Sequence, residues 1–214
     1  MNINQIPAFK NCYIMQQEDI VRFADTLASG FSMYDLFKYI CNGTYSSVKM
    51  TVFWAMSISL SCKDAICIAD SKDVNSVLIY ISPGAKEPGV MEYIKAGGIK
   101  MLITLGLRSA VKLLRFDANV QKYQKRYRTE KDGYLMAFAT RLDKQGQHYG
   151  KPLMEALLEY LDSAGQGCYL ETLKASNVDL YKHFSFELME QVPLNYGGLM
   201  LYALKRPVKQ RMDL

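Results

Sequence analysis

The chain has 214 residues, of which 50% are hydrophobic and 22% are charged, a composition that can bury a core and is not typical of a disordered protein. Its apolar stretches are far shorter than the roughly 20 residues that a membrane-spanning helix needs. The first residues, MNINQIPAFKN, lack a basic region followed by an apolar core, so we expect neither secretion nor a membrane partner.

The cysteines are odd in number and include no Cys-x-x-Cys pair. They are Cys12, Cys41, Cys62, Cys67 and Cys168. A chain of this length does not need disulfide bonds, so we expect reduced thiols and a cytoplasmic protein. The two histidines, His148 and His183, are far apart and have no cysteine or carboxylate cluster at ligand spacing, so no metal is expected.

The net charge of +5 is confined to one segment of the chain. Between Arg108 and Lys131 eight basic residues accompany only two acidic ones, whereas the rest of the chain has 18 basic and 19 acidic residues. This local excess needs a local explanation, because the remainder of the protein is nearly neutral.

The first third of the chain has helical periodicity. Apolar spacing predicts three helices, over residues 17–27, 33–40 and 46–60. Ser32 is the expected cap of the second helix, which Asn42 and Gly43 end. The β-branched residues of the third segment also fit a strand, but its length and apolar spacing favour a helix.

After residue 60 the hydrophobic pattern changes from helical to strand-like. Residues 65–69 and 74–81 are rich in β-forming residues and are joined by four polar residues, which predicts a β-hairpin. From 89 to about 128 the pattern is helical again, with breaks expected at Gly97 and Gly106. This segment is a helical insert between strands.

The last part of the chain alternates between strands and helices. The predicted order is a strand at 133–140, a helix at 151–164, a strand at 168–173, a short helix at 177–184 and a closing strand at 198–204. A strand, a helix and a strand joined by one crossover imply a parallel pair in a right-handed βαβ unit. Because no repeat or flexible linker interrupts the chain, we expect a single domain over 1–214.

The loop LDKQGQHYGKP lies between a predicted strand and a predicted helix. A glycine-containing loop at this place directs backbone N–H groups and the positive end of the helix into one space, which suits a phosphate or pyrophosphate. Pro152 fits the first helical turn, where its missing N–H costs nothing. The alternative is an ordinary connection that happens to contain two glycines.

The stretch QGQHYGKPLMEALLEYLDSAG, followed by YLETLKASNVDLYKHFSFE, resembles the two most diagnostic motifs of the GNAT superfamily of acyl-CoA-dependent N-acyltransferases. The first motif corresponds to Gln145 through Gly150, with His148 where the family usually has glycine. The second corresponds to Glu171, Thr172, Asn177, Tyr181 and Phe186, with Ser185 in place of the usual glycine. The resemblance covers residues 133–204, about a third of the chain.

The resemblance implies an α/β (α+β) fold of the GNAT type. In this fold a mixed, mostly antiparallel twisted sheet contains one splayed parallel pair and carries helices on both faces, here with the helical insert at about 89–128 before the central strand. The pantetheine arm of acyl-CoA would pair with the backbone of Phe138, Ala139 and Thr140. Its pyrophosphate would lie on the amides of Gln145, Gly146, Gln147, His148, Tyr149, Gly150 and Lys151.

The implied activity is transfer of an acetyl group from acetyl-CoA to an amine, either a small molecule or a peptide N-terminus. Tyr181 matches the residue that protonates the leaving thiolate, although a tyrosine packed at a sheet edge is an alternative. Asn177 matches a residue that bonds the pantetheine or holds the splay, and it also fits a helix N-cap. The base remains open among Glu171, Asp132, Tyr134, a water chain and an amine that arrives partly deprotonated.

Two rival functions are considered. The first is a CoA-binding GNAT-like sensor or interaction module without catalysis, and the second is a basic helical binding protein whose βαβ end is coincidental. The basic segment fits a solvated helix face, contacts to the 3'-phosphate of CoA, an acidic acceptor or nucleic acid. Nucleic acid is not expected as a partner, because the remainder is neutral, and the apolar residues of the insert allow a homodimer.

Overall fold

The computed structural model describes residues 7–209, so residues 1–6 and 210–214 lie outside the described part of the chain. The predicted domain of 1–214 therefore extends beyond the described residues at both ends. The N-terminal residues on which the expectation about secretion rests also lie partly outside them. A seven-stranded sheet forms the centre of the described part, with the strand order β1-β2-β3-β4-β5-β7-β6. That the whole chain is a single domain stays a prediction.

The strands are β1 (Tyr13–Ile14), β2 (Ala65–Ala69), β3 (Ser76–Ile81), β4 (Asp132–Thr140), β5 (Gly167–Thr172), β6 (Glu187–Pro193) and β7 (Met200–Arg206). Three helices precede the β2–β3 hairpin, namely α1 (Ile20–Gly30), α2 (Asp35–Ile40) and α3 (Ser47–Ser61). The helical insert consists of α4 (Val90–Lys95), α5 (Gly98–Leu105) and α6 (Leu107–Tyr127). The remaining helices are α7 (Lys151–Ala164), between β4 and β5, and α8 (Ala175–His183), after β5.

This architecture confirms the predicted fold class. Every strand pair is antiparallel except β4 with β5, which is parallel. The insert breaks where glycine was expected, because Gly97 and Gly106 have φ angles of 100° and 81° that other residues rarely adopt. The predicted hairpin, βαβ unit and short helix are all present.

Helices cover both faces of the sheet. On the face that we call the front, helices α1, α2, α3 and α6 pack a core that includes Leu27, Phe37, Trp54, Val120 and Tyr169. On the back face, α7 and α8 pack a second core that includes Leu135, Leu157, Leu161, Leu170 and Tyr181. Strands β4 and β5 are therefore buried on two sides, which explains their nearly continuous apolar sequences.

The parallel pair separates soon after it forms. Only three residue pairs join the two strands, the last being Tyr134 with Tyr169, whereas β5 stays paired with β7 as far as Thr172. A bulge at Met136 accompanies the separation, since Ala137 pairs with Ile79 but Leu135 pairs with Tyr80. We call the space between residues 135–140 and 170–172 the cleft.

Close packing determines where the pairing of β4 and β5 begins. A Cβ atom on Gly133 would lie 1.9 Å from the Tyr80 hydroxyl oxygen, so only glycine lets β4 pass this ring. The Tyr80 hydroxyl donates a hydrogen bond of 3.0 Å to Gln166, immediately before β5. The contact holds the paired end of the two strands together.

The hairpin strand predicted to begin at Val74 begins at Ser76. Val74 has a φ of 54°, a left-handed angle that a β-branched residue seldom adopts, and it lies in the connecting loop. Asp70 lengthens that loop because its carboxylate accepts hydrogen bonds from the Ser76 N–H at 2.7 Å and the Asn75 amide at 3.1 Å.

The predicted Ser32 cap is also wrong. Helix α2 begins at Asp35 after the extended residue Tyr34, and the Ser32 hydroxyl donates instead to the Ser29 carbonyl at 2.7 Å, after the end of α1. Two strands were not predicted at all. Strand β1 has two residues, and β6 is a mostly exposed edge strand, so neither carries a strong apolar alternation.

Candidate active site

The free edge of β4 is the first component of the site. Beyond Tyr134 the strand keeps its hydrogen bonds to β3 but has no partner on the β5 side. Phe138, Ala139 and Thr140 lie on this stretch, as the resemblance implied. The Thr140 hydroxyl lies 3.0 Å from the Ser76 hydroxyl, which fixes the end of the strand to β3.

The loop from Gln145 to Lys151 is the second component. Within residues 7–209, the backbone N–H groups of residues 145–150 donate to no protein acceptor, and the Lys151 N–H bonds the His148 carbonyl at 3.2 Å. The left-handed angles of Gly146 (φ 77°) and His148 (φ 63°) turn the loop into the start of α7. Free amides beside a helix N-terminus make a site for an anion.

His148 and Ser185 both have left-handed backbone angles, which glycine adopts more readily than other residues. Their φ angles are 63° and 65°, which cost roughly 1 kcal/mol each. The His148 side chain is exposed, and the Phe186 N–H after Ser185 still bonds the Tyr181 carbonyl at 3.0 Å. The side chains at 148 and 185 therefore occupy backbone positions that favour glycine.

Other side chains of the loop brace it against the fold. The Gln145 amide donates to the Thr140 carbonyl at 3.2 Å and to the Gly30 carbonyl at 3.4 Å, which ties the loop to β4 and to α1. Gly150 lies against Phe138, whose ring would be 2.8 Å from a Cβ atom at this position. Glycine at 150 therefore lets the loop approach the strand closely.

Three remaining loop residues lie toward the outside. The Gln147 amide donates to the Asp143 carbonyl at 3.2 Å, and the Lys151 ammonium is 3.7 Å from Glu155. The Tyr149 side chain is half-buried. Because the Lys151–Glu155 pair is exposed, it restrains Lys151 only weakly.

Asn177 links the end of β5 to α2. Its side-chain amide donates to the Thr172 hydroxyl at 3.1 Å and to the Tyr34 hydroxyl. The N-cap alternative is wrong, because Lys174 occupies the cap and Asn177 lies inside α8. Tyr34 was not identified from the sequence, since only the folded chain brings it to Asn177.

Tyr181 lies on α8 at the back of the cleft. Its ring packs edge-on against Phe186 with centroids 5.6 Å apart. Burial, together with the nearby Tyr34 and Cys168, raises the pKa of Tyr181 above its usual range, so the phenol stays protonated at neutral pH. Its hydroxyl has no hydrogen-bond partner within residues 7–209, which leaves it free to donate.

Glu171 lies on β5 two residues after the last paired position, on the front of the cleft. Burial raises the pKa of this carboxyl to about 8, although the nearby hydroxyls of Tyr134 and Tyr169 partly favour its ionised form. Its buried Oε1 atom and the buried Tyr169 hydroxyl lack hydrogen-bond partners within the described chain. A buried carboxyl with a strongly raised pKa beside a cleft is a candidate functional group.

The other two base candidates are placed less well. The Asp132 carboxylate is buried in an ion pair with Lys205 at 2.7 Å and accepts two hydrogen bonds from Thr129, at 2.6 Å from its N–H and 2.8 Å from its hydroxyl. Burial and the Glu171 charge raise the pKa of Tyr134 well above its usual value, so it is neutral at physiological pH. Neither group is free to accept a proton.

Some broader features concern the described residues. No three His, Cys, Asp or Glu side chains within 7–209 come together in a group that could hold a metal ion. No helix in this part of the chain combines the length and apolar character needed to cross a bilayer. All five cysteines are free thiols.

Comparison with known proteins agrees with this geometry. Residues 114–186, from α6 to the end of the second motif, match the sequence model of the acetyltransferase (GNAT) family. No curated protein gives a significant sequence match. Among solved structures, a Corynebacterium glutamicum protein described as histone acetyltransferase HPA2 and related acetyltransferase has 16% identity and a TM-score of 0.65, covering 94% of this chain and 99% of its own.

Two further structures have the same fold. Arylalkylamine N-acetyltransferase 2 from Aedes aegypti has 12% identity and a TM-score of 0.58, covering 92% of this chain and 98% of its own. The ribosomal-protein-S18-alanine N-acetyltransferase from Escherichia coli has 12% identity and a TM-score of 0.54, covering 95% and 97%. The chain has the fold of GNAT acetyltransferases, and its residues 114–186 match the GNAT family model.

Proposed function

We propose that the protein transfers an acetyl group from acetyl-CoA to an amine by direct attack of the amine on the thioester. The observation that carries this proposal is the buried, unpartnered carboxyl oxygen of Glu171 beside the cleft, opposite the free hydroxyl of Tyr181. A base and an acid on the two sides of one opening are what acyl transfer to an amine requires.

The cleft and the loop fit acetyl-CoA as a substrate. The amides of a pantetheine arm alternate donors and acceptors, as a β-strand does, so they can pair with the free backbone of Phe138 to Thr140. The pyrophosphate then meets the free amides of residues 145–150 and the start of α7. In this proposal backbone N–H groups of β4 near the Met136 bulge donate to the oxyanion that develops on the thioester carbonyl.

Glu171 acts in this proposal as the general base. An amine arrives in water mainly as its ammonium form and must lose a proton before or during attack. A carboxylate with a pKa of about 8 accepts that proton well near neutral pH, and its unpartnered oxygen can receive the N–H bond. Because Glu171 lies on the front, the amine approaches from that side.

Tyr181 acts on the opposite side of the same bond. As the new C–N bond forms and the C–S bond breaks, the sulfur leaves toward the back of the cleft as a thiolate. The neutral Tyr181 phenol then donates a hydrogen bond or a proton to it. The products are an amide and free CoA thiol.

The acceptor is a small-molecule amine or a peptide N-terminus. The Aedes aegypti neighbour is described as acting on arylalkylamines and the Escherichia coli neighbour on an alanine of a ribosomal protein, so this fold accommodates both. Whether the protein acts in the cytoplasm or as a homodimer stays a prediction.

The rival function is acyl-CoA binding without turnover, as in a sensor or interaction module. The histidine at 148, where the family usually has glycine, favours it. The other rival, a basic helical binding protein with a coincidental βαβ end, is wrong because the whole sheet has the GNAT arrangement.

Release of free thiol from acetyl-CoA over a panel of amines and short peptides tests the proposal. We expect amine-dependent release and gain of an acetyl group by the amine, with an amine-free reaction as the blank for hydrolysis. Calorimetry with acetyl-CoA is the companion measurement. Tight binding without turnover on any amine would favour the sensor, and absence of binding would contradict both functions.

A further inference from the structure

A groove lies between α2 and the first half of α6. The groove is shallow and open to solvent, its volume is about 580 Å³, and it is lined by Tyr39, Leu107, Arg108, Val111, Lys112 and Arg115. Three of these six residues are basic, and they belong to the segment that carries the excess charge of the protein. The groove plays no part in the acetyl-CoA site described above.

Helix α6 presents its outer side to this groove. Its core-facing residues include Ala110, Val120 and Tyr123, so the apolar side read from the sequence through Val111 and Leu114 faces outward. Leu107 and Leu114 are 73% and 69% exposed. Leu107, Val111 and Leu114 thus form an apolar row along the helix. Arg108, Lys112 and Arg115 form a basic row beside it with the same one-turn spacing. The two rows together suit a ligand that is both anionic and partly apolar.

The basic row has no acidic partner within the described chain. The Lys112 ammonium lies 4.2 Å from the centre of the Tyr39 ring and donates to the Tyr39 carbonyl at 2.5 Å and to Asn42 at 2.8 Å. These bonds anchor α6 to the end of α2. Arg108 and Arg115, one turn to either side, form no ion pair with any described carboxylate, in contrast to Arg126, which pairs with Glu190 at 3.1 Å.

Aromatic rings hold the groove at the mouth of the cleft. Tyr196, in the loop between β6 and β7, stacks on Tyr39 with centroids 5.4 Å apart, and Arg115 lies over its ring at 5.9 Å. Because β7 runs antiparallel to β5, this loop lies at the end of the sheet where the cleft opens. Helix α2 also packs on the front, the side of Glu171.

We propose that this groove binds an anionic group, a carboxylate or a phosphate, on the amine acceptor, so that the substrates are amines that also carry a negative charge. This inference rests on the proposed function. The groove lies on the front, the side from which the amine enters in the proposed function, whereas the anion loop for the CoA phosphates leads into α7 on the back.

Matched acceptors test the inference. We compare O-phosphoethanolamine with ethanolamine, and 4-aminobutyrate with 4-aminobutanamide, measuring kcat and KM separately for each. The charged member of at least one pair should have a kcat/KM about 10- to 100-fold higher, mainly through a lower KM, because a charge-assisted contact forms on binding. The pair that responds distinguishes a phosphate from a carboxylate.

Charge-removing variants locate the effect. In R108Q/R115Q the preference for the charged acceptor should fall by about 10-fold or more, whereas K122Q/K125Q, which removes two charges farther along α6, should retain it. Equal loss in both double variants would indicate general attraction by the basic helix and would overturn the groove. Thermal unfolding of both variants checks that they are folded.

A titration that needs no turnover separates this inference from the proposed function. O-phosphoethanolamine is added to the protein, and binding is followed by calorimetry. Binding that R108Q/R115Q abolishes and K122Q/K125Q retains supports the groove even if no amine is acetylated, a result that would refute only the proposed function. Turnover of neutral amines with no charge preference and no binding of the probe would overturn the groove alone.

Discussion

Glu171→Gln should lower kcat by about 10²- to 10⁴-fold, the usual contribution of a general base. The amide keeps the shape of the side chain but cannot accept the proton of the attacking amine. Acetyl-CoA affinity should stay near that of the wild type, because the proposed cofactor contacts are with backbone groups of β4 and the loop. Thiol release at saturating substrates and calorimetry measure the two quantities.

Glu187→Gln is the matched control for this variant. Glu187 is exposed on β6, so its neutralisation removes a carboxylate without touching the cleft, and kcat should not change. Equal rates in Glu171→Gln and the wild type would assign the proton transfer to water or to the acceptor itself.

The pH dependence of kcat is an independent test of Glu171 as the general base. With a pKa of about 8, the Glu171 carboxylate becomes more populated as the pH rises, so kcat should increase through pH 8 and then level off. The pH profile of Glu171→Gln should lack this rising limb. A limb that persists unchanged in the variant would belong to another group, such as the acceptor amine.

The stability of the fold that is linked to Glu171 should fall as the pH rises, whereas kcat should increase. The folded protein keeps the Glu171 proton up to a pH of about 8, whereas the unfolded chain releases it near the ordinary value of 4.5. The stability linked to this proton is fully present below the unfolded-state pKa of 4.5. It is lost as the pH rises through the folded-state pKa of about 8. Urea unfolding across this window should show that loss in the wild type and not in Glu171→Gln; parallel curves would contradict the buried carboxyl.

Tyr181→Phe should lower turnover by roughly 10- to 1,000-fold, because it removes only the hydroxyl that assists the leaving thiolate and a CoA thiol leaves fairly well unaided. Acetyl-CoA affinity should remain nearly the same. Stability should fall by at most about 1 kcal/mol, since this hydroxyl forms no hydrogen bond within the described residues. The measurements are kcat, acetyl-CoA affinity and melting temperature.

Tyr123→Phe provides the control for Tyr181. Tyr123 is a buried phenol on α6 in the front core, away from the sulfur side of the cleft, and its loss should leave kcat unchanged. Unchanged kcat in Tyr181→Phe at saturating substrates would mean that Tyr181 only packs against Phe186.

Local sequence determines much of the fold around the site. Helix α7 has the predicted bounds because a loop glycine precedes it, Pro152 suits its first turn and Gly165 ends it in a left-handed conformation with a φ of 62°. The splayed pair was implied by the motifs. The two edge strands and the start of β3 were not predictable, because exposure weakens alternation in β6 and the side chain of Asp70 reshapes the hairpin loop.

The site was predictable only in part. The motifs indicated the loop, Asn177 and Tyr181 as candidates, but long-range packing determines the environment of Glu171. Its raised pKa depends on burial beneath the front helices beside Tyr134, a residue from another strand. The contact of Tyr34 with Asn177 joins residues 143 positions apart. No local sequence pattern predicts the burial of Glu171 or the contact of Tyr34 with Asn177.

Hydrogen exchange with and without acetyl-CoA tests directly whether the cleft between β4 and β5 is the acyl-CoA site. The backbone amides of residues 136–140 and 145–151 should exchange more slowly when acetyl-CoA is present, because these groups gain hydrogen bonds to the pantetheine and the pyrophosphate. The hairpin amides of 65–69 should not change. Protection confined to α6, or none in β4 at saturating acetyl-CoA, would contradict it.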